Sequence, residues 1–166
     1  MTAADGGLEV RTDGKSVLRF ERRLAHPIER VWAAITDPGD LIRWWGSARV
    51  ELEPGGRFAM AWLNVDDEGN RAEMEATVTA LDPPRLLELS GDIHGVLRFE
   101  LAPDGDQTVL TFTSTLDLPD EYRTKVLAGW HYHLDALAAA LEGWENDLVE
   151  LPGWDALHER YLGVEA

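Results

Sequence analysis

The chain has 166 residues, 45% of them hydrophobic, and a formal net charge of −16 with no cysteine. That length suits one domain able to bury roughly 70% of its unfolded surface. The missing thiols exclude disulfides, thiol catalysis and cysteine–zinc chemistry, and the acidity argues against nucleic acid and anionic membrane surfaces, whose phosphates attract Lys and Arg.

The opening residues, MTAADGGLEV, lack the basic end and apolar run of a secretory signal, and no window approaches the ~18 apolar residues of a membrane span. The expectation is a cytoplasmic protein without membrane insertion. Residues 1–15, polar and glycine-containing, read as a flexible segment. The alternation of Leu18, Phe20 and Leu24 marks a first strand, on which Arg22 has inward parity. After His26-Pro27, Ile28, Val31, Trp32 and Ile35 recur at helical spacing, and Asp37 caps a second short helix from Pro38 to about Trp45, ended by Gly46. That pair is too acidic, and its second helix too short, for a DNA-reading helix-turn-helix.

From Ala48 the period becomes two. Strands are expected at 48–52, 57–63, 71–81, 86–90, 95–101 and 108–115, separated by turns rich in Gly, Pro and Asp. Ala72, Met74, Ala76, Val78 and Ala80 fall on one face of their strand, and Glu73, Glu75, Thr77 and Thr79 on the other, as in a sheet with one wet side. The acidic turn 66–70 lacks the spaced ligands of an EF-hand.

A long helix is expected from Pro119 to Leu141. Each helical residue turns by about 100°, which places Val126, Leu127, Trp130, Leu134, Leu137 and Leu141 on one apolar stripe. Gly143 closes it. Residues 144–166 form an extension in which Trp154, Leu157 and Tyr161 share a helical face, packed on the domain or on a dimer partner; monomer and homodimer both stay open. One narrow stripe on a long helix requires a broad partner surface, which a bent sheet supplies.

Three stretches resemble the Hsp90-ATPase-activator-homologue family of the START/Bet v 1-like superfamily: ERRLAHPIERVWAAITDPGDLIRWWG at 21–46, GGRFAM at 55–60 and GWHYHLDALAAAL at 129–141. The resemblance covers about Val17 to Leu141. It implies an α+β helix-grip fold over residues 16–143, in which a seven-stranded curved antiparallel sheet holds the carboxy-terminal helix, two short helices follow strand 1, and a cavity lies between sheet and helix. Relatives that activate the chaperone's ATPase carry further docking segments, and a chain of this length is not expected to share that activity.

Inward parity selects Phe58, Met60, Trp62, Met74, Leu89, Phe99, Phe112, Trp130 and Leu134 as the lining of such a cavity, or as a filled core if the sheet closes fully; the resemblance adds Trp45 near its mouth. Arg123 lies in the apolar stripe, where its guanidinium either meets a ligand carboxylate or snorkels to water. His131 flanks the stripe as a pocket-edge acid or base or as a hydrogen-bonded structural residue. His131 and His133 diverge by about 200° and do not form the i, i+4 pair that binds zinc on a helix. No nucleophile motif, phosphate loop or metal signature is present, so neither catalytic residues nor a cofactor are expected. The leading expectation is non-enzymatic binding of a small hydrophobic or amphipathic ligand. The alternatives are a cyclase- or hydrolase-like enzyme using a cavity His or Arg, and a stress- or chaperone-linked interaction module using the acidic outer sheet.

Overall fold

The computed structural model describes residues 5–165. The strands are β1 (Gly7–Val10), β2 (Ser16–Leu24), β3 (Gly46–Val50), β4 (Arg57–Trp62), β5 (Glu73–Asp82), β6 (Leu86–Gly91), β7 (Gly95–Asp104) and β8 (Gln107–Leu116). The helices are α1 (Ile28–Thr36), α2 (Pro38–Leu41), α3 (Arg123–Leu141) and α4 (Trp154–Glu165). A single turn of 3-10 helix, Asp120–Tyr122, leads into α3.

All strands join one antiparallel sheet in the order β1-β2-β8-β7-β6-β5-β4-β3. Alternation is strict where it matters: along β8 every second residue from Thr108 to Leu116 is buried, and along β5 Met74, Ala76 and Val78 face inward while Glu73, Glu75 and Thr77 face water. The wet face is crossed by ion pairs, Arg57 with Glu75 and Arg98 with Glu88 and Glu100. A register shift between Val78 and Ala80 leaves an extra residue on β5, the kind of bulge that bends a sheet.

The sheet has eight strands where seven are expected. The added strand is β1, inside the stretch read as flexible; it pairs with β2 in the register Gly7↔Arg19 to Val10↔Ser16. Nothing periodic announces it, because its four residues are mostly exposed and carry no inward-outward alternation. The Gly6 amide donates to Tyr161 Oη at 2.8 Å, and a Cβ at Gly6 would lie 2.3 Å from the Phe20 ring. The second short helix is also shorter than expected: α2 stops at Leu41, turns continue to Trp45, and Gly46 opens β3 rather than merely ending a helix.

Helix α3 lies across the concave face of the sheet. Its buried residues include the whole stripe except Val126, together with Ala128, His131, His133, Ala136 and Ala140. Burial thus extends well beyond one stripe, because α4 and the segment before it pack on α3 from the side away from the sheet. Tyr132 Oη donates to the Pro152 carbonyl at 2.7 Å, Thr124 Oγ1 and His158 Nε2 lie 3.0 Å apart, and Tyr161 Oη sits 2.7 Å from His131 Nδ1.

Candidate functional site

Between sheet and α3 the interior is packed with rings. Trp45 is the hub: its ring centroid lies 5.5 Å from Trp44, 5.8 Å from both Phe58 and Trp62, 6.1 Å from Phe99 and 5.3 Å from Trp130. Trp130 in turn lies 4.5 Å from Phe112, which lies 5.0 Å from Phe99. Phe58, Met60, Met74, Leu89 and Leu134 complete this buried cluster. Large rings at such distances fill the space that a deep cavity would occupy.

Open volume lies beside this core, in a cleft of about 720 Å³. Its first wall is the end of β4 and the loop after it, with Trp62, Asn64, Val65, Asp67 and Ala72. The second is His94 from the β6–β7 turn. The third is α3, through Lys125, Val126, Gly129, Trp130 and His133, and the fourth is the segment from Val149 to Asp155 that carries the chain into α4.

Of the residues singled out from the sequence, Trp62 and Trp130 reach this cleft. Trp45, Phe58, Met60, Met74, Leu89, Phe99 and Leu134 are brought together beneath it as core. Arg123 points elsewhere and pairs with Asp120 at 2.7 Å. His131 is buried against the opposite flank, edge-on to Phe20 at 6.2 Å, with Nε2 3.3 Å from Asp135. Arg22, inward as its parity indicates, lies 3.6 Å from the same Asp135; burial opposes its charge and lowers its pKa, against the pull of that carboxylate.

Two imidazoles that the sequence did not select stand in the cleft wall. The His94 ring stacks on Trp62, with centroids 5.1 Å apart and planes 14° from parallel. Its Nδ1 lies 2.7 Å from Asp92 Oδ1, which also accepts the His94 backbone amide, while Asp92 Oδ2 accepts the Glu75 amide. Burial alone would raise the Asp92 pKa, but these hydrogen bonds outweigh it and hold the carboxyl below its ordinary value. Asp92 therefore stays ionised and fixes the His94 ring flat on Trp62.

His133 is 5% exposed, and its Nδ1–H donates to the Trp44 carbonyl at 2.9 Å. Burial lowers its pKa, with the Trp44 carbonyl pulling weakly the other way, so the ring is neutral and Nε2 carries a lone pair. His133 had a trace in the sequence: seven residues after Val126, it lies about 20° from that residue, on the shoulder of the apolar stripe. In the 149–155 wall only Trp154 had one, as part of the helical face it shares with Leu157 and Tyr161.

An antiparallel sheet curled around one long helix defines the helix-grip class of folds. Within that class the chain belongs to the family described as Activator of Hsp90 ATPase homolog 1-like protein, whose sequence pattern matches residues 25–142. No curated protein matches the sequence. Among solved structures, CalU16 from Micromonospora echinospora is 24% identical with a TM-score of 0.71, covering 94% of this chain and 90% of its own. The protein encoded by gene BPP1335 of Bordetella parapertussis is 27% identical with a TM-score of 0.69, covering 97% and 91%. EF2215 from Enterococcus faecalis, a conserved protein of unknown function, is 18% identical with a TM-score of 0.75, covering 96% and 90%. No helix among the described residues is long and apolar enough to cross a membrane.

Proposed function

We propose that this protein binds a small, flat, amphipathic molecule in the cleft and holds it without chemical conversion. The observation that carries this reading is the Trp62–His94 stack, which shares an open cleft with Trp130. Paired aromatic surfaces of this kind accept a planar guest by stacking and by burial of its apolar area. Membership of a family built on the helix-grip fold supports a small-molecule role over a nucleic-acid one, as does the charge of −16.

The test is a titration with Nile red, a neutral planar amphiphile whose emission rises on leaving water. The native protein is expected to bind it saturably. Trp62→Ala should weaken binding about 2- to 12-fold, the span of one aromatic contact. Saturable binding that is indifferent to Trp62→Ala would place the dye elsewhere and overturn the assignment of the cleft.

A further inference from the structure

The polar groups of the cleft are unevenly matched. His133 presents Nε2 with no partner among the described residues, its other ring nitrogen being committed to the Trp44 carbonyl. Asn64, in another wall, holds Oδ1 buried and without a hydrogen-bond partner. A buried acceptor left unmatched is costly, and native structures leave few of them. Asn64 Oδ1 is such a buried acceptor; His133 Nε2 is a second acceptor, and the two belong to two different walls of one cleft. The charged groups around them, Asp67, Glu150 and Asp155 against Lys125, are predominantly negative and disfavour an anionic guest.

We infer that the guest is an un-ionised hydroxylated aromatic, held by an O–H donated to His133 Nε2, with Asn64 Oδ1 accepting a second donor where one is present. This rests on the cleft being a ligand site, as proposed above. The stacked Trp62 and His94 rings take the aromatic plane, and His133 decides which edge of it enters. The imidazole suits this role because the Trp44 carbonyl fixes its tautomer: with Nδ1 donating, Nε2 can only accept. A carboxylate guest would meet a lone pair rather than a donor at that point.

The experiment compares 2-naphthol with 2-methoxynaphthalene by calorimetric titration at neutral pH, where the naphthol is un-ionised. Methylation removes the donor and adds apolar surface, so burial alone would make the ether the tighter ligand. The native protein is expected to bind the naphthol at least about fivefold more tightly, the size of one net hydrogen bond. His133→Asn retains an amide N–H for the Trp44 carbonyl and deletes the Nε2 acceptor; it should bring the ratio to about one or below, with ether binding little changed. An ether bound as tightly as the naphthol by the native protein would overturn the inference without need of any variant. So would a preference that survives in folded His133→Asn. Failure of both naphthalenes to bind would overturn the ligand site itself together with this inference.

Discussion

His133 ties stability to pH as well as facing the cleft. Its folded pKa lies below the ordinary value of about 6.5, so the unfolded chain takes up this proton more readily than the folded one. The neutral ring's contribution is therefore complete above about pH 6.5 and is lost as pH falls from there toward the folded value. Thermal melts should show His133→Asn losing less stability than the native protein between about pH 6.5 and 5. Trp130, 8% exposed and packed against Trp45 and Phe112, should cost about 3–5 kcal/mol when replaced by Ala, measured by denaturant unfolding. A loss well under that range would show that its packing against Trp45 and Phe112 contributes little to the core. Tyr161 Oη accepts from the Gly6 amide and meets His131 Nδ1, so Tyr161→Phe should cost about 1–3 kcal/mol and speed hydrogen exchange at Gly6. Trp130 is legible from its place on the helical stripe. Tyr161 is legible only as an inward-facing ring, since its partners lie 155 and 30 residues away.

At the scale of elements, α3 ends as its sequence requires. Gly143 takes φ of 89°, its amide reaches the Ala140 carbonyl at 3.0 Å, and the Trp144 amide reaches Ala139 at 3.0 Å. A side chain in that left-handed conformation is strained, and Gly143→Ala should destabilise the protein by about 1–2 kcal/mol in chemical denaturation. An unchanged midpoint would show that the helix end relaxes freely. The strands β2 and β4 to β8 were readable because alternation survives along them, their faces being divided between core and water. β1 was not, because a four-residue edge strand depends on β2, Phe20 and Tyr161 rather than on its own pattern. Likewise the sequence reading gives α3 one apolar stripe, whereas α4 and the 149–155 segment cover more of its circumference. Ala136 and Ala140, whose carbonyls accept from Asn146 and Arg43, are also buried without belonging to the expected stripe.

Across the whole molecule, a net charge of −16 on one domain means self-repulsion that unfolding relieves. Raising salt from low ionic strength to about 0.15 M, where the screening length falls to about 8 Å, should raise the melting temperature. A melting temperature that falls with salt would mean that ion pairs such as Arg98 with Glu88 and Glu100 outweigh the repulsion.

The sequence by itself determined the helix-grip architecture, since period-two strands with one wet face and a long helix with one greasy stripe have few ways to bury each other. It also identified the rings that meet between them. Only the tertiary structure decided that those rings close the deep interior, because whether side chains fill a space depends on how far sheet and helix stand apart. The cleft follows from that packing. Its walls come from four separated parts of the chain, and the neutral state of His133 arises from burial and a carbonyl 89 residues distant in sequence, neither of which leaves a local signature.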